Sequence, residues 1–225
     1  MSYTASRIFQ SASQINEAMS RVYAHMFAAV MNSMVVSYLV STSPVLLAFF
    51  FTGIMKWIVI FAPLAMIFAF AFAQERFNRN QLILFLHGFA ALMGLSMATI
   101  FVVFTMGSIV SAFMGAAVLF GTMSFYGYFT KRDLSGFGQF LFVGLIAVII
   151  ASVINIFIGS SVMQMVISAV AILVFLGLTA YDTQKIRELV SYSSDGRAEV
   201  TGALTLYLDF INLFIHLLQL FGNRK

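Results

Sequence analysis

The sequence predicts an all-α integral membrane protein, a seven-transmembrane-helix bundle with almost no soluble domain. Hydrophobic residues make up 61% of the 225 positions and charged residues only 9%, against roughly 25% charged in a soluble domain. The mean hydropathy is +0.99, so lipid must be the solvent. Apolar runs of the roughly 20 residues that a spanning helix needs recur along the chain. They place spans at 23–42, 57–73, 82–103, 107–129, 137–158, 162–181 and 202–222. This divides the chain into an amino-terminal segment (1–22), a transmembrane domain (23–222) and a short tail (223–225).

Each span has its own punctuation. The second is short, and Pro63 near its middle should kink it. Tight uncharged turns are expected at Met106-Gly107-Ser108 and Gly159-Ser160-Ser161. Asp133, just before the fifth span, reads as an amino-terminal helix cap. Small residues four apart, at Ala90 and Gly94 and at Ser111 and Gly115, suit close helix packing within the bundle.

Orientation follows from the basic residues. Arg7, Arg21, Arg76, Arg79, Lys131, Arg132, Lys185, Arg187 and Arg197 fall on one side, and Lys56, Arg224 and Lys225 on the other. Nine against three predicts a cytoplasmic amino terminus and, after seven crossings, an external carboxyl terminus. The first 22 residues are polar with no cleavage pattern, so they read as a cytoplasmic segment before an uncleaved span.

Several function classes drop out. The chain has no cysteine, which excludes disulfides, Fe–S clusters and thiolate metal sites. Three histidines without motif spacing argue against structural zinc. The basic residues lie between apolar spans, so the net charge of +4 is no nucleic-acid signal. No HExxH and no paired nucleophile and base are present, so an enzyme is not expected, and no cofactor is implied.

The informative residues are ionisable groups in or beside apolar spans, where charge is costly. Asp182 ends the sixth predicted span in LTAYDTQKI, and Asp209 lies inside the seventh in LTLYLDFINLF. Arg76 closes the second on the same side. If those helices are neighbours, two carboxylates and a guanidinium meet at one depth. A carboxylate at a helix carboxyl end is disfavoured by the helix dipole, which argues for a partner of Asp182. Thr205, Asp209, Asn212, His216 and Gln219 follow spacings of four and three, one face of a helix. Such a polar stripe must face protein or water, so the seventh helix is expected at the bundle centre. The plainer reading of Thr205, Asn212 and Gln219 is interhelical hydrogen bonding. His87, one turn into its span, reads as an interfacial or hydrogen-bonded histidine.

Taken with TKRDLSGFG before the fifth span, the two aspartate motifs make the chain resemble the transmembrane Bax inhibitor motif (Bax inhibitor-one-like) family from about Arg21 to Gly222. The likeness is greatest to bacterial inner-membrane members. It implies a seven-helix bundle with the last helix enclosed by the other six, and a pH-sensitive calcium leak channel. Asp182 and Asp209 would be the pH sensor on the ion path, binding calcium transiently. Arg76 would be a latch on the first aspartate, with Arg79 as the fallback position, and Thr205, Asn212, His216 and Gln219 would line the pore. Some members carry a carboxylate in the second span, and 57–73 has none. The charged tail of animal members is also absent, so a cell-death role is not implied. The expected partners are the bilayer, calcium and protons. Two other functions stay open: a proton-coupled calcium carrier, and a non-conducting regulator of a membrane quality-control protease complex.

Overall fold

The computed structural model describes residues 11–193 and 195–225. Nine helices are present among them: α1 (Ala12–Ser41), α2 (Pro44–Phe51), α3 (Met55–Ala73), α4 (Arg79–Ser96), α5 (Ala98–Val103), α6 (Met106–Phe129), α7 (Ser135–Ile158), α8 (Ser161–Tyr192) and α9 (Arg197–Phe221). A 3-10 turn at Gln74–Arg76 follows α3. Counting α4 and α5 together, seven helical segments are long and apolar enough to cross a membrane. The expected all-α seven-helix membrane fold is therefore correct.

The differences lie at the ends of elements. Helix α1 begins at Ala12, within the segment expected to precede the membrane, because Ser11 and Gln14 form a reciprocal capping box there. Arg7 lies outside the described residues. The extra helix α2 starts on a Ser43 cap with Pro44 in its first turn. Pro63 does not interrupt α3. The third span instead breaks at Met97, between α4 and α5. The turn before α6 comes two residues earlier than expected, since Thr105 is the cap and accepts the Ser108 N–H at 3.3 Å. The turn into α8 falls where expected, on Gly159 in the left-handed region at φ 69°. Leu134 holds the cap position of α7 without a side-chain cap, and Asp133, expected there, stands one residue earlier and accepts the Ser135 N–H at 2.8 Å.

The largest extension is at α8. It runs through Tyr192, so Asp182 is an interior residue of that helix and does not end it. The dipole argument for a partner of Asp182 therefore falls.

Helix α9 is the most enclosed: 61% of its spanning stretch is buried, against 17% for α7 and 11% for α3. It packs against α8, α6, α1 and α4. The other elements form an outer layer, with α3 on α4 and α7 on α8, so α9 is enclosed chiefly by four neighbours rather than six. Tyr207, fully buried in α9, bonds Ser33 of α1 at 2.7 Å and meets Phe89 edge-on. Ser33 also donates to the Ala90 carbonyl at 2.7 Å, and a Cβ on Gly94 would collide with the Ser33 backbone. Ala90 and Gly94 thus pack within the bundle as expected. On α6 the buried small pair is Ala112 and Ala116, with Ser111 exposed.

Contacts gather the basic loops at one end. Arg197 donates to the Gln74 and Glu75 carbonyls, and Gln184 of α8 bonds the chain between α6 and α7. The carboxyl tail lies at the other end, where Asn223 and Lys225 bond the turn between α5 and α6.

Candidate functional site

Two buried acidic centres lie on the basic half of α9. The first joins α8 to α9. Asp209 is buried, and its carboxyl group lies within hydrogen-bond reach of that of Asp182. The structure therefore brings together the two aspartates that the sequence singled out. A hydrogen bond between two carboxyl groups requires one proton between them, because two carboxylates both only accept. Oδ2 of Asp209 is buried, and no N–H or hydroxyl of the described residues donates to it. The cation whose charge reaches Asp182 is Lys185, one turn further along α8. Among the described residues no cluster of three or more His, Cys, Asp or Glu side chains is placed to hold a metal ion.

Arg76 does not join this pair. It is exposed at the end of the 3-10 turn, with no ion pair to Asp182. The extension of α8 explains this: Asp182 faces neighbouring helices, while Arg76 sits in the connection beyond α3.

The second centre is Glu199, in the first turn of α9, and it was missed at the sequence level. Its Oε1 accepts from Arg21 of α1 through Nη2 at 2.8 Å and Nε at 2.9 Å. Its Oε2 lies 3.8 Å from Arg79 of α4. Arg79, the fallback latch position, therefore serves Glu199. His25 of α1 and His87 of α4 lie in the same electrostatic neighbourhood. The signal was available in principle, as an acid one turn before an apolar span facing an arginine one turn before another. Placing the two spans to begin at 202 and 23 hid it.

The polar stripe of α9 divides in two. Thr205 donates to the Thr201 carbonyl at 3.3 Å and Asn212 to the Leu208 carbonyl at 2.8 Å, so both satisfy themselves on their own helix. Further out, Gln219 accepts from Gln164 at 2.8 Å and Ser168 at 3.1 Å on α8. His216 lies 3.5 Å from Ser168. Asn155 of α7 extends this cluster to Gln164 at 3.2 Å. A further chain at the level of the aspartates runs from Tyr23 to Ser124 at 2.6 Å and on to Thr183 at 2.9 Å. It ties α1, α6 and α8 beside Asp182, and hydroxyls in apolar helices gave no pattern to find it by.

Outside the spans, two carboxylates are accounted for locally. The Arg197 N–H, with help from the Ser193 hydroxyl, holds the Asp195 carboxyl below its ordinary range. The Ser135 hydroxyl and N–H do the same for Asp133.

The chain matches the family model described as inhibitor of apoptosis-promoting Bax1 over residues 15–225, which takes in all seven spans and the tail. It is 37% identical over 225 residues to the inner membrane protein YbhL of Escherichia coli K12, covering 97% of this chain and 96% of that one. An uncharacterized protein of Rickettsia prowazekii is 37% identical over 212 residues, covering 92% and 89%. An uncharacterized membrane protein of Streptococcus pyogenes is 45% identical over 139 residues, 60% of each chain.

Proposed function

This chain belongs to the Bax inhibitor-1-like family of membrane proteins, and from that premise we propose that it is a pH-sensitive calcium leak channel gated by the Asp182–Asp209 pair. The observation that carries this reading is the contact between two carboxyl groups whose buried member has an oxygen without a donor. Such a pair titrates as a unit. Losing the shared proton leaves two like charges in contact inside the bundle, and regaining it leaves a single charge shared by the pair. Either change alters the balance between arrangements of α8 and α9.

Calcium prefers six to eight oxygen ligands. Two carboxylates supply too few for storage, which suits an ion that must leave again. The basic end is proposed to face the cytoplasm by the positive-inside rule, and the membrane to be a bacterial inner membrane, by analogy with the name of the Escherichia coli relative. The latch of Arg76 on Asp182 would belong to a different arrangement, in which Arg76 moves to the pair.

The test is calcium flux into dye-loaded proteoliposomes across a pH series. The expected result is a pH-dependent flux that becomes pH-independent in Asp209→Asn. Unchanged pH dependence in that variant, or no flux at any pH in the wild type, would sink the proposal. His25→Gln and His216→Gln serve as controls, because histidine titrates in the same range. Counter-transport of protons with saturable calcium uptake would point to a carrier. A protease complex that co-purifies with the double aspartate variant would point to a regulator.

A further inference from the structure

A second site lies on the other half of the bundle, away from both acidic centres. Helices α1 and α6 do not pack closely against each other. Between them is a cavity of about 390 Å³, with α9 as its floor (Ile211, Phe214) and α5 closing it towards the tail (Ile100, Phe101). The volume falls in the range of small-molecule sites.

Its mouth opens sideways. Val35, Tyr38 and Leu39 of α1 and Met106, Val110 and Met114 of α6 line it, and all six are exposed large apolar side chains. In a membrane this face meets hydrocarbon. The lining runs along α1 from Val30 to Leu39, roughly 13 Å at 1.5 Å per residue. That is the reach of much of one acyl chain in a single leaflet, half of a hydrocarbon core about 30 Å thick.

The two ends of the cleft differ. The inner end is apolar except for Ser33, whose hydroxyl is already bonded to the Ala90 carbonyl and to Tyr207. At the outer end the Lys225 ammonium bonds the Phe101 carbonyl at 2.8 Å, and Phe101 lines the cleft. That ammonium has two N–H donors left over. Arg224 lies over the Phe104 ring beside it, 5.9 Å from the centroid. One turn before the end of α1, Ser37 lines the cleft with a buried hydroxyl that has no hydrogen-bond partner. A cationic rim, then a lone hydroxyl, then an apolar trough is the order of groups that a phospholipid presents in complement: phosphate, ester carbonyl, acyl chain.

We propose that this cleft is a binding site for one phospholipid of the leaflet at the tail end of the bundle. One acyl chain lies between α1 and α6 on Ile211 and Phe214, and the phosphate lies on Lys225 and Arg224. Lipid is the occupant because the opening faces only hydrocarbon and headgroups, and its rim is cationic. Bound there, the lipid wedges α1 from α6 directly over α9. The proposal is independent of the function of the aspartate pair.

The protein is reconstituted in nanodiscs containing phosphatidylglycerol with a diazirine in one acyl chain, photolysed, and mapped by peptide mass spectrometry. Adducts are expected to concentrate on 30–39 and 106–114, above their level on the equally exposed face of α7. Val110→Trp, a change at a lipid-facing position that fills the mouth, should remove that excess, whereas Val143→Trp on α7 should leave it. Native mass spectrometry should show the Arg224→Ala/Lys225→Ala protein retaining phosphatidylglycerol about fivefold or more less well, since each surface cation contributes on the order of 1 kcal/mol towards an anionic lipid. Labelling that simply follows exposure, on α3 and α7 as much as in the cleft, would overturn the site. Undiminished retention in the double variant would overturn the headgroup assignment.

Discussion

Helix α9 carries two buried carboxylates ten positions apart, and they are held in opposite ways. Glu199 sits between arginines from α1 and α4, with charge-assisted bonds at 2.8 and 2.9 Å. Each acid has one buried oxygen without a hydrogen-bond donor, but that of Glu199 has the Arg79 guanidinium 3.8 Å away, whereas Asp209 faces another acid. The first arrangement is an ordinary solution to burying charge, in which opposite charges and hydrogen bonds offset the lost hydration. The second leaves the charge unanswered, so only a proton resolves it. A counter-ion makes an acid a brace, and the lack of one makes it responsive to pH. Glu199 therefore anchors the start of α9 to α1 and α4, and Asp209, with Asp182 of α8 against it, is the place on that helix where the proposed pH response would reside.

The sharpest way to break this contrast is to neutralise each acid in turn. Asp209→Asn is expected to erase the pH response of calcium flux: roughly tenfold across the titration in the wild type, less than about twofold in the variant. Glu199→Gln is expected to keep the response but lose stability, by about 1 kcal/mol or somewhat more. The figure stays low because its arginine partners are 47% and 40% exposed and partly screened. Thermal unfolding in detergent measures it. If Glu199→Gln abolished pH sensitivity while leaving stability intact, the two roles would be reversed.

Smaller effects refine the picture. Arg76 is exposed and unpaired with Asp182, so Arg76→Ala should change stability by less than about 0.5 kcal/mol and leave basal flux unaltered. A rise in basal flux would mean that a second arrangement, with the latch closed, is populated. The smallest change is expected from Asp195. Its carboxyl is held below the ordinary range by the Arg197 N–H, so its contribution is present at neutral pH and lost as pH falls below about 4. Asp195→Ala should thus lower stability slightly at neutral pH and make no difference in strong acid, and the flux profile near neutrality should not move. A shift there would place part of the sensor in the loop between α8 and α9.

The spans, the two costly aspartates and the enclosed last helix were legible in the chain because each follows from the make-up of a single helix. Asp209, Asn212 and His216 recur on one face, and an apolar helix cannot turn that face to lipid. The half-truth about Asp182 arose at a boundary. Residues 182–192 are polar enough to read as loop, yet Ile186 and Val190 are buried and carry α8 onward. Arg76 holds the position at which the family resemblance implies a latch, and no property of the chain around it reports that Asp182 lies among helices it does not reach.

The amino-acid sequence by itself determined that this protein lives in a bilayer, that it is all helix, and that two acids occupy an expensive place, because transfer energies and helix periodicity are local sums over neighbouring residues. Only the tertiary structure decided which acid meets an arginine and which meets another acid. It alone left α1 and α6 apart over α9, since pairings between helices depend on packing among residues as distant as Arg21 and Glu199, and no local sum contains them.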